Sequence, residues 1–522
     1  MFILITTLFL FLTALALMVL HVTRPGFRYG WLAAMGGAFL AWISVLLWQM
    51  FMPIELNLPA WEPALFRDAP SFAADRLAWP YAFGLASFVL AFLLRAVALA
   101  EVPDLPGWAG VLALTAFGIL AVLANNPLTL ALVWAALDIT ELAAQIRAVQ
   151  GERANEQVVS FFAARAAGIV ILILAGMVSL SSGSALDFQT VHPNVTLLLI
   201  LAAGIRLSLA PLLVSPTAAA GHEFNLALQL TGTAASLVLL ARTPAQAAQS
   251  PLTPFLLLVT AGAALYGSLQ WIRATEESRA RPFWMITISS LAVACALRGN
   301  PVGSVAWGVA LVFTGGALFL SGAQNKTILR ILLVFGVWGL SSLPFSPTAS
   351  VWQSSAPPAW ADWIALPALL VAQAMLIAGF IRRATLASNI ESPESQPGWA
   401  KNIRPIGVGL LLLGLLLLGF FGWDGSLTIG SPLASVTAGA LAAALYWLRP
   451  RLAFLNPVRA HWVQPANAPR PNLFTDTLQG WSRQSGRFSH FLAALLEGEG
   501  GILWALLFLV LFLSLLSTGT QP

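Results

Sequence analysis

The stretch Ala203-Gly-Ile-Arg206-Leu-Ser-Leu-Ala-Pro211-Leu-Leu-Val-Ser-Pro216 carries one arginine and two prolines in an otherwise apolar run. A charged side chain at the centre of a bilayer is costly, so Arg206 needs a partner or a function. Proline removes a backbone donor and interrupts the helical hydrogen-bond ladder. Such irregular backbone occurs at membrane depth only where it is buried in protein or lines a watery cavity. The stretch therefore predicts a broken transmembrane helix.

The composition of the whole chain supports this interpretation. Of its 522 residues, 58% are hydrophobic and 9% are charged, whereas an ordinary soluble domain has roughly 25% charged residues. The apolar residues come in runs of about 20, the length that crosses a hydrocarbon core of about 30 Å at about 1.5 Å per residue. The chain is therefore predicted to be an all-α integral membrane protein that contacts the lipid bilayer.

The composition also excludes several classes of function. The one cysteine, Cys295, allows neither an internal disulfide nor a thiolate-ligated metal or cluster, and the five histidines show no ligand spacing. The excess of basic over acidic residues does not indicate nucleic acid, because the basic residues lie mostly between the apolar runs. We expect no cofactor, no metal site, no catalytic residue and no nucleic-acid partner.

The apolar runs predict about sixteen transmembrane helices. They lie at 2–20, 29–52, 79–99, 107–124, 127–148, 158–182, 195–214, 224–242, 252–273, 282–298, 301–322, 327–344, 360–381, 406–422, 429–448 and 501–517. With the N-terminus outside, the cytoplasmic loops and the span ends next to them hold nineteen of the 26 basic residues, and the external loops and the span ends next to them hold four, as the positive-inside rule requires. The predicted location is the cell (inner) membrane with both termini on the non-cytoplasmic side. The first run is expected to be a retained helix and not a signal peptide, since it lacks a basic start and a cleavage site.

The order of these runs divides the chain into six segments. They are helices 1–3 in residues 1–100, a first repeat at 107–242, a second repeat at 252–381, helices 14 and 15 in 382–448, a cytoplasmic linker with an amphipathic helix at 449–500, and a last helix in 501–522. The two repeats are expected to be inverted, each with a broken helix, at Pro211 and Pro216 in the first and at Pro344 and Pro347 in the second. The amphipathic segment favours a lateral helix along the membrane surface, although a single amphipathic loop would look similar.

Charged residues inside the apolar runs form the candidate site. Asp138 and Glu141 in the fifth span are three residues apart and share a helix face. Two carboxyl groups this close can hold one proton between them, as a proton relay requires. The alternative is that they neutralise Arg165 or Arg206 and only lock helices together. The sequence alone does not favour either interpretation.

His222 and Glu223 form a second candidate pair just after the predicted break in the seventh span. Their side chains are able to pass a proton between the broken helix and the next span. A polar pair at a helix boundary near the lipid headgroups has the same sequence pattern, so both interpretations stay open.

Several motifs occur in an order that resembles a known family. In the seventh span, Arg206 is followed five residues later by Pro211. The other motifs are Asn126–Trp134, Glu276–Arg279 followed by Ser289-Ser290, Leu340–Phe345 and Leu496–Trp504. Over roughly residues 80–380 and the C-terminal part, they resemble the antiporter-like membrane subunits of respiratory complex I, which are related to Mrp-type sodium/proton antiporters. The sixteen spans and the lateral helix are most similar to the largest of these subunits.

The chain departs from the family pattern at its charges. Ala135-Ala136 stands where the pumping members have a glutamate, with Asp138 about one turn further on, and Arg206 stands where they have a lysine. A second family lysine falls near Ala234, and the mid-membrane lysine of the second half falls in Val312–Gly316, which has no basic residue. Because a guanidinium group does not release its proton in proteins, Arg206 is a poor proton carrier.

Three functions stay open from the sequence. The resemblance implies a proton- or cation-translocating subunit without a redox site of its own, with other membrane and hydrophilic subunits of a redox-driven or antiporter complex as partners. The missing lysines favour a second function, a structural or assembly subunit that does not conduct ions. The third is an unrelated polytopic transporter, which the order of the motifs opposes.

Overall fold

The computed structural model describes residues 2–448, except 25–26, 28, 58–69, 97–103, 149–151, 184–185, 187, 189–192, 214–221, 244–247, 249, 322–325, 358, 386–397, 424 and 428–430. This part of the chain contains fifteen α-helices. They are α1 Phe2–Thr23, α2 Gly30–Trp48, α3 Trp79–Ala96, α4 Leu105–Leu123, α5 Pro127–Ala148, α6 Glu152–Ser181, α7 Pro193–Leu213, α8 His222–Arg242, α9 Thr253–Arg273, α10 Glu277–Leu297, α11 Pro301–Ser321, α12 Lys326–Leu340, α13 Asp362–Thr385, α14 Gly398–Leu417 and α15 Pro432–Leu448.

These helices confirm the prediction of a helical, multi-pass membrane protein. Ten of the described helices are long and apolar enough to cross a membrane, and five shorter apolar helices accompany them. The fifteen helices correspond in order to the first fifteen predicted spans. The sixteenth span at 501–517 and the lateral helix in 449–500 lie outside the described residues.

The clearest differences from the predicted bounds are at helix ends that carry charge. Helix α6 begins at Glu152 and α14 at Gly398, six and eight residues before the predicted starts at 158 and 406. The added turns are polar, with Arg153 in α6 and Lys401 in α14. A helix continues beyond the hydrocarbon core wherever its backbone hydrogen bonds continue, so hydropathy marks only its apolar part.

A two-stranded antiparallel sheet lies in the predicted external loop. Strand β1 (Ile54–Asn57) pairs with β2 (Ser71–Ala74), with Ile54 opposite Ala74. The Ser71 backbone N–H donates to Thr129 Oγ1 at 2.8 Å, and Asn126 Nδ2 donates to Ser71 Oγ at 3.1 Å. The hairpin is therefore fixed to the start of α5. Sequence patterns did not predict it, because its strands are only four residues long.

The packing core lies where α3, α8, α10 and α11 meet, and the outer helices present apolar side chains to lipid. Helices α3, α10 and α11 are buried on nearly all sides, whereas α1, α2, α6 and α9 keep about one face exposed. Helix α6 packs along α7, and α9 packs along both α10 and α13. This arrangement brings the interior faces of α5, α6, α7 and α8 together at one point, where the charged residues lie.

Candidate functional site

Four charged side chains from three helices form one buried cluster. Asp138 and Glu141 come from α5, Arg165 from α6 and Arg206 from α7. Their side chains are between 0% and 4% exposed. We call these four residues the charged cluster. Its two carboxylates and two guanidinium groups carry no net formal charge, which removes much of the cost of burying ions in an apolar region.

Nearly all of the N–H donors of Arg206 have a hydrogen-bond partner. Its Nη1 donates to Asp138 Oδ2 at 2.7 Å and its Nη2 to Asp138 Oδ1 at 2.8 Å, a two-pronged ion pair. Nη1 also donates to the Arg165 carbonyl oxygen at 2.8 Å, and Nε donates to Ser236 Oγ of α8 at 3.2 Å. The guanidinium carbon lies 4.2 Å from the centre of the Trp134 ring, a cation–π contact. Arg206 therefore ties α5, α6, α7 and α8 together.

Arg165 bridges the two carboxylates. Its Nε lies 2.9 Å from Asp138 Oδ1, and its Nη1 forms an ion pair with Glu141 Oε2. Gln145, one turn beyond Glu141 on α5, donates from Nε2 to Glu141 Oε1 at 3.3 Å. Asp138 thus has two charged partners, whereas Glu141 has one charged partner and one neutral one. Of the two carboxylates, Glu141 is held less tightly.

This geometry limits the chemistry of the charged cluster. Both arginines stay charged, because guanidinium is not deprotonated in proteins. Asp138 would have to leave two guanidinium groups to take up a proton, and breaking a buried pair costs about 3–5 kcal/mol. Glu141 needs to leave only Arg165, and it lies nearer the end of α5 that is predicted to be cytoplasmic. Of the two carboxylates, Glu141 therefore has fewer ionic contacts to break before it can bind a proton.

The structure brings together four of the candidate residues that the sequence indicated. His222 and Glu223 begin α8, but their side chains lie outside the described set. Pro211 lies in the last turn of α7, and Pro216 is outside the described residues. Sequence analysis missed Trp134, Ser236 and Gln145 as partners of the cluster. Helical spacing in the sequence indicates two of these residues. Trp134 lies one helical turn before Asp138, and Gln145 lies one turn after Glu141.

The break at α12 is a second polar region. Helix α12 ends at Leu340, ahead of Pro344 and Pro347, and Ser342 and Phe345 have φ values of 58° and 64°. Fifteen residues span about 22 Å, less than a hydrocarbon core of about 30 Å. The hydroxyl residues of the non-helical segment 341–350 that follows are buried: Ser341, Ser342, Ser346, Thr348 and Ser350. Its polar groups therefore need partners inside the protein.

Uncharged side chains supply the hydrogen-bond partners of the backbone groups at this break. Gln373 of α13, which is 0% exposed, donates from Nε2 to the Leu340 carbonyl oxygen and to Ser342 Oγ, both at 2.8 Å. Gln373 Oε1 accepts from Trp352 Nε1 at 3.1 Å. Thr348 Oγ1 and Ser435 Oγ hydrogen-bond to the backbone of the break as well. We call Gln373, Ser342, Thr348, Trp352 and Ser435 the neutral network.

Within the described helices α9–α13, the acidic residues lie at helix starts. Glu277 is in the first turn of α10 and Asp362 in the first turn of α13. The charged cluster therefore has no acidic counterpart in the interior of the described second half. Among the described residues, no group of three or more His, Cys, Asp or Glu side chains is placed to hold a metal ion.

Three solved structures contain chains of similar fold. A chain in the structure of the Mrp complex from Dietzia sp. DQ12-45-1b matches with a TM-score of 0.69 at 16% identity, over 100% of this chain and 63% of that one. A chain of the membrane-bound sulfane sulfur reductase, an archaeal respiratory membrane complex, matches with a TM-score of 0.59 at 13% identity, over 98% of this chain and 100% of that one. A chain of respiratory complex I from Thermus thermophilus with bound NADH matches with a TM-score of 0.59 at 17% identity, over 85% of this chain and 100% of that one.

These similarities define the class of fold. The chain has the fold of antiporter-like membrane subunits, as its motifs predicted. It spans 63% of the length of the Mrp chain that it matches. No protein-family model and no curated protein matches the sequence. At identities of 13–17% the likeness concerns the fold, and the function has to be argued from the charged cluster.

Proposed function

We propose that the chain is a membrane subunit of a multi-subunit, cation-translocating complex of the Mrp or complex I type. The observation that carries this proposal is the buried charged cluster, placed among α5–α8 of a fold that occurs in such complexes. Charges inside a membrane are rare, and they mark ion paths or proton relays when they are retained. The partners would be other membrane subunits and hydrophilic subunits, and both termini would lie on the non-cytoplasmic side.

Within this function, proton exchange is confined to the first half of the chain. Glu141 is the exchanging group, and Asp138, Arg165 and Arg206 are a fixed frame around it. The second half would contribute packing and partner contacts, since its neutral network contains no group that titrates near neutral pH. The chain would therefore support a shorter proton path than a member with acidic and basic residues in both halves.

The experiment has two stages. Purification of the tagged protein in mild detergent, with mass spectrometry of its companions, should recover other antiporter-like chains or hydrophilic redox subunits. The complex is then placed in vesicles, and its proton movement is compared with that of the double variant Asp138→Asn/Glu141→Gln. We expect the variant to lose proton movement per assembled complex. Because it leaves two buried guanidinium groups without a counter-charge, its yield is compared with that of Glu141→Gln alone, which keeps Asp138 paired with both arginines. Unchanged movement in an assembled variant would remove the relay from this proposal.

A non-conducting structural subunit is the second candidate function. It is favoured by one specific observation, the bidentate pairing of Asp138 with Arg206, which is an arrangement suited to locking helices. In that case the double variant would leave ion movement by the complex unchanged and would lower only its stability. The same vesicle measurement therefore separates the two functions.

A further inference from the structure

Two glycines lie in direct contact with the arginines of the charged cluster. Gly168 of α6 lies against Arg206, and Gly232 of α8 lies against Arg165. A Cβ atom on Gly232 would stand 2.5 Å from Arg165 Nη1 and 2.6 Å from Nη2. Real Cβ atoms essentially never approach other heavy atoms this closely, so the Arg165 guanidinium occupies space that any other residue at 232 would fill.

The two sites differ in which part of the arginine they touch. At Gly168, an added Cβ would meet Arg206 Cγ and Cδ at 2.4 and 2.6 Å and the Ala202 carbonyl oxygen at 3.1 Å. These are the middle of a side chain and a backbone atom, so α6 and α7 themselves would have to separate. At Gly232, the contact is with the free end of Arg165, which is able to rotate away. A substitution at 232 is therefore expected to move one guanidinium group and to leave the helix packing in place.

The displaced end of Arg165 is the end that binds Glu141. Nη1 makes the ion pair with Glu141, whereas Nε, closer to the helix, makes the pair with Asp138. Moving Nη1 and Nη2 thus releases Glu141 first. Asp138 keeps its two-pronged pair with Arg206. The release is selective for one of the two carboxylates.

We propose that Gly232 is a positioning residue that leaves room for Arg165 to pair with Glu141 and so favours the ionised form of Glu141. This inference rests on the proposed role of Glu141 in proton exchange. The groups around Glu141 are Arg165 of α6, Asp138 and Gln145 of its own helix, and Arg206 of α7; α8 contributes Gly232 itself. Without Arg165, the nearest charge is Asp138, which repels a second negative charge. A buried carboxylate that loses its cationic partner binds a proton instead.

The test measures the protonation of Glu141 directly. Infrared spectroscopy of the complex in vesicles, recorded at several pH values, follows the carbonyl stretch of a protonated carboxyl group. In Gly232→Ala we expect a stronger band of this kind than in the wild type at the same pH, and we expect the added intensity to disappear in Gly232→Ala/Glu141→Gln. The matched control is Gly204→Ala on α7, where an added Cβ would meet nothing within 4 Å in the described part of the chain. The control should show the wild-type spectrum.

A second variant keeps the inference testable if Gly232→Ala does not assemble. Arg165→Lys removes the two terminal nitrogens that the new Cβ would strike, so Gly232→Ala/Arg165→Lys should recover assembly to the level of Arg165→Lys alone. A clash elsewhere in the helix interface would not be relieved in this way. A band no stronger than that of the wild type in an assembled Gly232→Ala, or failure of the Lys variant to recover assembly, would overturn the inference.

The outcomes also separate this inference from the proposed function. If the band is stronger in Gly232→Ala while Asp138→Asn/Glu141→Gln still moves protons at the wild-type rate, Gly232 positions Arg165 and the proposed relay is wrong. If the double variant stops proton movement and the band in Gly232→Ala equals that of the wild type, the relay stands and Gly232 has no positioning role.

Discussion

The two halves of this membrane protein supply partners for buried polar groups in different ways. The first half buries four charges that cancel one another, whereas the second half supports a broken helix with a glutamine, hydroxyl groups and an indole N–H. Both arrangements supply partners for polar groups that water does not reach. The charged arrangement has a group that is able to exchange a proton, and the neutral one does not. The comparison therefore separates the polar groups that hold the fold from the one that we propose to exchange a proton.

The largest expected effect is at Arg206. Arg206→Ala removes the bidentate partner of Asp138 and leaves that buried carboxylate with Arg165 alone, so we expect a loss of about 3–5 kcal/mol in stability. Thermal unfolding of the purified protein in detergent measures it. The matched control is Arg330→Ala, an exposed arginine on α12, which should cost less than about 0.5 kcal/mol. If both variants melt alike, Arg206 is not paired with a buried acid.

A smaller loss is expected from the neutral network. Gln373→Leu leaves the Leu340 carbonyl oxygen and the Trp352 indole N–H without their side-chain partner, which should cost about 1–3 kcal/mol. The same unfolding measurement applies, with Gln353→Leu, at an exposed glutamine, as the control. A loss in Gln373→Leu that exceeds that of Arg206→Ala would reverse the order of the two regions and contradict the comparison.

The smallest effect concerns the aromatic wall of the charged cluster. Trp134→Phe keeps a ring near Arg206 but loses the hydrogen bond from Trp134 Nε1 to the Ala235 carbonyl oxygen at 2.9 Å and weakens the cation–π contact. We expect a loss of about 1 kcal/mol. Trp363→Phe, at a tryptophan that is 85% exposed, serves as the control and should be neutral. Equal melting of the two variants would show that Trp134 only fills space.

Much of this fold was predictable because a membrane imposes a simple rule on sequence. A run of about 20 apolar residues has to become a helix, so the first fifteen spans could be located from hydropathy. The polar first turns of α6 and α14 could not be located in this way, because hydropathy does not detect the part of a helix that extends beyond the apolar run. The hairpin of β1 and β2 was missed as well, because four-residue strands carry almost no periodic signal.

The residues of the charged cluster could be predicted from the sequence, but which of them pair with each other could not. Asp138, Glu141, Arg165 and Arg206 were evident as charges inside apolar runs. That Arg165 bridges both carboxylates depends on how α6 packs against α5 and α7, and this packing leaves no mark in local sequence. The contacts of Gly168 and Gly232 with the arginines could not be predicted either, since glycine is frequent in transmembrane helices for many reasons. Sequence alone shows which groups need partners, and only the packing shows which partners they have.

The central claim, that proton exchange is confined to the first half, is tested most directly by proton movement in vesicles that contain the intact complex. Two variants are compared with the wild type, Asp138→Asn/Glu141→Gln in the charged cluster and Gln373→Leu in the neutral network. We predict that the first abolishes proton movement and that the second, once assembled, retains it at the wild-type rate per complex. Retained movement in the first variant, or its loss in an assembled Gln373→Leu, would contradict the claim.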